Sequence, residues 1–268
     1  MAIRMKRNLK ILIAIAVIFA GAFLALRTPP TDADAMRAKY GGELARYTEN
    51  MGVHYRDQGN PNGEPVIFIH GSSASLHTWE PMIAAMQLGS DQYRLISYDQ
   101  PGHGLTGPHP SDDYSAGGMA QALDEVMGEL GIERAVLIGN SMGGWVSWRY
   151  ALENPERVKA LVLMDASGAP TTESPPLNLG FRLIQNPITR PLTEHITPRF
   201  LVKKSLEQTV AKPEIIDEDT VDTYWELLRF PGNRKATSIR AVSSREPEYG
   251  ERLPEIDTPS LILWGEDD

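Results

Sequence analysis

The stretch Gly139-Asn140-Ser141-Met142-Gly143-Gly144 constrains this chain more than any other. It follows the apolar run Ala135-Val136-Leu137-Ile138 and leads into Trp145–Leu152, which is compatible with a helix. A buried strand that runs through Gly-x-Ser-x-Gly into a helix must turn sharply. Side chains two residues before or after the serine would collide with neighbouring backbone, so glycine is required at 139 and 143. The turn lifts the Ser141 hydroxyl to the mouth of the sheet. It also sets that hydroxyl at a helix N-terminus, where backbone N–H groups favour developing negative charge.

At 268 residues the chain is long enough for one large α/β domain with a substantial core. Its net charge of -9 argues against nucleic acid as a partner. The absence of cysteine excludes disulfides, a cysteine nucleophile and thiolate zinc sites.

Charge is unevenly spread. Residues 1–27 carry Arg4, Lys6, Arg7, Lys10 and Arg27 and no acid. Ile11 to Leu26 is an unbroken run of 16 apolar or glycine residues. With Leu9 and Lys10 it spans about 27 Å as a helix, just enough for a bilayer core if Lys10 snorkels. The basic flank keeps the N-terminus cytoplasmic, so the expectation is an uncleaved transmembrane anchor with the remainder periplasmic or extracellular. A cleaved signal, releasing a secreted protein, is the competing reading. Thr28 to Ala38, with Pro29-Pro30, reads as a short solvated linker.

The remainder alternates strands and helices. Glu43–Met51 and Val53–Gln58 read as opening strands. Pro65–Ile69, Tyr93–Tyr98, Ala135–Ile138 and Val158–Met164 read as buried parallel strands, with helices near 79–87 and 114–130 between them. This rhythm implies a mostly parallel, doubly wound α/β sheet. From Gly168 to Thr258 prolines recur between amphipathic pieces such as Asp217–Leu228 and Arg234–Ser244, as expected of an inserted helical cap. Ser260–Trp264 resumes the sheet. The expected division is 1–27 anchor or signal, 28–38 linker, 39–166 core, 167–257 cap and 258–268 core strand and acid loop.

Four motifs fall at strand ends: His70-Gly71-Ser72-Ser73, Asp99-Gln100-Pro101-Gly102-His103-Gly104, the Ser141 turn, and Trp264-Gly265-Glu266-Asp267-Asp268. In that order they resemble the α/β-hydrolase superfamily, in its branch of small cap-bearing serine hydrolases, over roughly residues 40–268. The resemblance implies Ser141 as nucleophile. It implies the backbone N–H groups of Ser72 and Met142 as oxyanion donors, with His70, Gly71, Gly139 and Gly143 supporting the motifs. Losing one such donor typically costs about 3 kcal/mol of barrier. Asp268 is the implied triad acid, with Asp267 and Asp165 as alternatives. Asp165 is better read as a loop carboxylate that caps backbone N–H groups.

The family's order is Ser, acid, His. The six histidines are 54, 70, 77, 103, 109 and 195, all before Asp268. His70 is expected to hold the oxyanion loop, and His77 and His103 to be structural or pocket-lining. His195 in the cap is a remote candidate for the base. The chain is accordingly read as a C-terminally truncated, nearly silent piece with an unprotected Leu261–Trp264 edge. Ser141 excludes the haloalkane dehalogenases and epoxide hydrolases of this fold, which carry aspartate at the turn. No cofactor and no metal are expected; the partners are a small-molecule substrate and, through the N-terminal segment, a lipid bilayer. The leading activity is cleavage of an ester or similar acyl bond of a small, fairly apolar substrate through an acyl-enzyme. Carbon–carbon bond hydrolysis of a vinylogous diketone, of meta-cleavage type, and an inactive binding module are the alternatives.

Overall fold

A computed structural model describes residues 13, 17, 18, 20–170, 177–243 and 247–266. Seven strands form one sheet: β1 (Arg46–Tyr47), β2 (His54–Gly59), β3 (Glu64–Ile69), β4 (Tyr93–Tyr98), β5 (Ala135–Asn140), β6 (Val158–Met164) and β7 (Ser260–Leu263). Their order is β1-β2-β4-β3-β5-β6-β7. β2 runs antiparallel to both β1 and β4, and the pairings from β4 through β7 are parallel.

Both faces are buried because alternate side chains of each central strand point opposite ways. Ile67 and Ile69 pack with Met119, Leu123 and Val126 of one helix and Trp145 and Val146 of another. Val66 and Phe68 pack with Trp79 and Ile83 on the other side. The covering helices are α2 (Glu80–Gly89), α3 (Ala116–Glu129) and α4 (Met142–Glu153), following a short α1 (Ala33–Met36). The expected doubly wound, mostly parallel sheet is therefore present.

Register decides what meets at the sheet's C-terminal edge. Ile69 lies opposite Tyr98 on one side and Gly139 on the other, and Asn140 lies opposite Met164. The residues that follow these strands, His70, Asp99, Ser141 and Asp165, are thereby delivered to one edge, where open α/β sheets bind ligands.

Between β6 and β7 the chain builds α5 (Leu179–Gln185), α6 (Arg190–Thr193), α7 (Arg199–Glu207), α8 (Glu218–Leu228) and α9 (Asn233–Arg240). Local chemistry sets their starts. The Asn178 side chain accepts from Phe181 N, and the Asp217 side chain accepts from Thr220 N. Pro191 falls in the first turn of α6, where its missing N–H costs nothing.

Four expectations change. The first strand shrinks to Arg46–Tyr47, since the residues on either side turn. The cap helix expected over Arg234–Ser244 stops at Arg240, and the chain turns at Ala241 and Val242. The solvated linker is instead docked: Thr31 N donates to Arg229 O at 3.0 Å, and just beyond the linker Lys39 and Tyr40 bond Glu226 at 2.6 and 2.8 Å. Its polar groups satisfy cap carbonyls and a carboxylate, which solvation alone would not order. Finally, the transmembrane helix is not found. Among the described residues no helix is long and apolar enough to cross a membrane. Residues 20–26 are helical, while 9–12, 14–16 and 19 lie outside the described residues.

β7 pairs with β6 alone among the described strands. Its Leu261, Ile262 and Leu263 and the following Trp264 are exposed.

Candidate active site

Ser141 occupies φ 51°, ψ -113°, between β5 and α4. A non-glycine residue there is strained by roughly 1–3 kcal/mol and persists only when its surroundings hold it. They do. Ser141 N donates to Met164 O at 2.9 Å, and Ser141 O accepts from Trp145 N and Ser167 N, both at 3.1 Å. The glycines are explained by contact. A Cβ on Gly139 would stand 2.4 Å from Gly143 O, and one on Gly143 would stand 2.0 Å from Ile69 O. Gly144 is equally enforced, with Ala166 Cβ at 2.5 Å.

The loop after β3 packs directly on this turn. A Cβ on Gly71 would lie 2.9 Å from Asn140 Oδ1 and 3.3 Å from Ser141 Cβ. Ser72 Oγ lies 3.4 Å from Met142 Sδ. Met142 opens α4, so its N–H belongs to the first turn, which has no intrahelical acceptor. Ser72 and Met142 both line one cleft.

His70 holds the loop. Its Nδ1–H donates to Gly71 O at 2.8 Å, and its Nε2 accepts from Gln100 N at 3.0 Å. Gln100 returns a side-chain N–H to His70 O at 2.5 Å. Burial pushes the imidazole below its ordinary pKa. With both nitrogens occupied, this neutral ring is not placed to take a proton from Ser141.

The other imidazoles are engaged elsewhere. His103 Nδ1–H donates to Pro101 O at 3.0 Å, and its Nε2 accepts from Arg240 Nη1 at 2.8 Å. Burial, reinforced by that guanidinium, holds His103 well below its usual range. His54 Nδ1 bonds Asp99 Oδ2 at 2.7 Å. His77 bonds Ser75 and Tyr40 O at 3.1 Å each. His109 Nδ1 accepts from Ser111 N at 3.2 Å. His195 meets the Phe23 ring edge-on with centroids 6.0 Å apart.

Asp165, at φ 45°, caps the loop after β7: its Oδ1 accepts from Gly265 N at 2.7 Å. Asp267 and Asp268, the other two acid candidates, lie outside the described residues. Asp99 is a buried anchor of the sheet edge. It accepts from Leu76 N and Leu105 N at 2.8 Å each, beside its bond to His54. Burial opposes its charge, but the His54 hydrogen bond holds the carboxyl below the usual carboxylate range. Among the described residues no group of His, Cys, Asp or Glu is arranged to hold a metal.

The cleft above the turn encloses about 540 Å³ of empty space, its open mouth included. The core contributes Ser72, Tyr114, Met142 and Trp145, and the cap contributes Phe181, Gln185 and Arg240. Arg240 is the one charged side chain among the described lining residues. The sequence carries no signal for Phe181 or Arg240 at this site, because nothing short of the cap's path brings them to the cleft that Ser72 and Met142 line.

Residues 64–187 match the family described as the alpha/beta hydrolase fold. Over 243 residues the chain is 32% identical to a 2-hydroxy-6-oxononadienedioate/2-hydroxy-6-oxononatrienedioate hydrolase of Paraburkholderia phymatum, covering 89% of this chain and 82% of that protein. A protein of the same name from Burkholderia vietnamiensis is 31% identical over 240 residues, covering 88% of this chain and 81% of that one. The structure of a 2-hydroxy-6-oxo-6-phenylhexa-2,4-dienoate hydrolase from Rhodococcus is similar in fold, with a TM-score of 0.68 and 22% identity over 83% of this chain and 80% of that one. A serine on a strained strand-to-helix turn at the C-terminal edge of a parallel sheet, together with relatives aligned over four-fifths of their length, establishes that this chain is a hydrolase and belongs to the α/β-hydrolase family.

Proposed function

We propose that this hydrolase cleaves a carbon–carbon bond next to the carbonyl of a small, acidic, vinylogous diketone. The observation that carries the reading is the naming of the relatives at 32% and 31% identity as 2-hydroxy-6-oxononadienedioate/2-hydroxy-6-oxononatrienedioate hydrolases. The cleft supports it: a wall of Met142, Trp145 and Phe181 suits a conjugated carbon chain, and the Arg240 guanidinium suits a carboxylate. This displaces the ester reading as the first choice, although the same machinery would serve an ester.

In the proposed reaction Ser141 Oγ attacks the ketone carbon as its proton leaves to a base. The tetrahedral oxyanion is met by the N–H groups of Ser72 and Met142. Collapse breaks the carbon–carbon bond, and the electron pair leaves on the dienol fragment, which takes up the proton. Water then hydrolyses the acyl-enzyme, so the sum is one water consumed per bond cleaved. Asp268 is the proposed orienting acid. The ring contacts found for the six histidines among the described residues do not include the Ser141 hydroxyl, so none of them is proposed as the base.

For residues 9–26 the proposed role is a membrane anchor with the catalytic part on the non-cytoplasmic side. The one-signed basic flank and the length of the apolar run support it.

The test of function is turnover by the full-length protein of 2-hydroxy-6-oxononadienedioate against p-nitrophenyl butyrate. The expected result is preferential loss of the dienol absorbance, abolished by Ser141→Ala, with Arg240→Gln raising KM more than it lowers kcat. Ester turnover alone would return the first place to acyl hydrolysis, and turnover of neither would favour a binding role.

A further inference from the structure

The N-terminal segment leaves the molecule from the cap. Thr28 N and Oγ1 donate to His195 O at 2.8 and 3.1 Å, and Thr28 Oγ1 accepts from Thr197 N at 2.8 Å. Arg234 Nη1 donates to Thr28 O at 2.8 Å, and Phe23 packs on the His195 ring. The helical residues 20–26 therefore start beside α6 and α7, with Leu24 and Leu26 exposed.

Around that point the cap itself holds large apolar side chains in solvent. Ile188 is 81%, Phe200 66% and Leu192 47% exposed. Single exposed apolar residues are ordinary, but several from separate elements around one attachment point mark a contact surface. The local charge is net positive. Residues 177–215 carry six basic side chains against three acidic ones in a chain of net charge -9. Arg199 and Lys203 pair with Glu218 and Asp222, whereas no ion pair of Arg182, Arg190 or Lys204 is found among the described residues. Exposed apolar side chains on a stretch of net positive charge, next to an apolar segment with its own basic flank, match an anionic lipid surface.

The geometry points to a lipid bilayer as what covers this face. The cap lies on the membrane through Ile188, Leu192 and Phe200, so that the anchor holds the molecule by its cap rather than by its sheet. α5 joins the two regions, since Phe181 and Gln185 line the cleft and Ile188 follows three residues after Gln185. Docking therefore sets the cleft close to the headgroup layer. The inference builds on the anchoring role proposed for residues 9–26.

Because the chain has no cysteine, single dyes report on single sites. Ile188→Cys, Phe200→Cys and, on the core helix α2, Leu88→Cys (92% exposed) are labelled with a nitrobenzoxadiazole dye in the full chain. The proteins are then placed in phosphatidylethanolamine–phosphatidylglycerol vesicles. Dyes at 188 and 200 are expected to lose emission to brominated acyl chains and to resist aqueous iodide, with the reverse at 88. Adding Ile188→Asp and Phe200→Asp together is expected to return a dye at Leu192→Cys to water. Equal iodide quenching at all three sites would overturn the inference. Iodide resistance without bromine quenching would overturn it too, and would name a second protein copy as the cover. Carbonate extraction of the same samples scores the anchor separately. Protein that stays in the pellet while its cap dyes remain in water rejects the docking and keeps the anchor. Protein that is released rejects the anchor, and its dyes on added vesicles still decide the docking.

Discussion

His70 and His103 are neutral for a physical reason, and that reason makes stability depend on pH. Burial pushes both below their ordinary pKa, and Arg240 adds to the effect at His103. In the unfolded chain both titrate at ~6.5. As pH falls below that value the unfolded state binds protons that the folded state refuses, so stability is lost toward acid and is fully present above it. Asp99 adds a second, lower step. Its folded carboxyl is held below the usual range, so its contribution is intact above about pH 4 and is lost as pH falls further. A melting temperature that declines from about pH 6.5 downward, with a shallower decline in His103→Gln, is the expected outcome of a thermal scan across pH. A flat profile between pH 7 and about 5 would remove the histidines from this account. Asp99→Ala is expected to destabilise by about 3 kcal/mol in urea unfolding, because Leu76 N, Leu105 N and His54 lose their shared buried acceptor.

Among the elements, β5, its turn and α4 form one rigid device, and two glycines separate packing from propensity. Gly143 sits where a Cβ would stand 2.0 Å from Ile69 O, so Gly143→Ala must displace either β3 or the turn. The expected cost is ~1–3 kcal/mol, with activity falling further because the Met142 N–H moves with the turn. Gly128 lies in α3, and a methyl group added there would meet nothing within 4 Å. Gly128→Ala is expected to stabilise by about 0.5–1 kcal/mol in the same unfolding assay. Equal effects of the two substitutions would mean that the turn relaxes easily. β7 makes the opposite point. Its pairing with β6 places the Gly265 loop on Asp165, yet Leu261, Ile262 and Leu263 remain exposed, a sheet edge of the kind that associates with other chains.

For the whole molecule, the property to test is the proposed attachment. The one-signed basic flank and 16-residue apolar run support an anchor, and the linker that follows is tied to the cap by Thr28, Thr31 and Arg234. Alkaline carbonate extraction is expected to leave the protein in the membrane pellet. Recovery in the soluble fraction with an N-terminus beyond residue 26 would instead establish a cleaved signal.

What the amino-acid order determined by itself is everything whose cause is local. Apolar runs marked β3 to β6, because a strand buried on both faces tolerates little else. Gly-x-Ser-x-Gly marked the turn, because only glycine escapes the contacts that a side chain at 139 or 143 would make with Gly143 O and Ile69 O. Asp217 marked the start of α8 through its side-chain cap. Only the tertiary structure decided what depends on contacts between distant segments. Arg240 reached the cleft because α9 folds back over the sheet edge, where His103, 137 residues earlier, accepts its hydrogen bond. The segment after Pro29-Pro30 looked solvated because its composition is polar, but Arg229 O and Glu226 on α8 offered partners that no local pattern encodes. The two histidines next to the oxyanion loop became neutral struts for the same reason. A side chain's chemistry is local, but its partners and its distance from water are set by the whole fold.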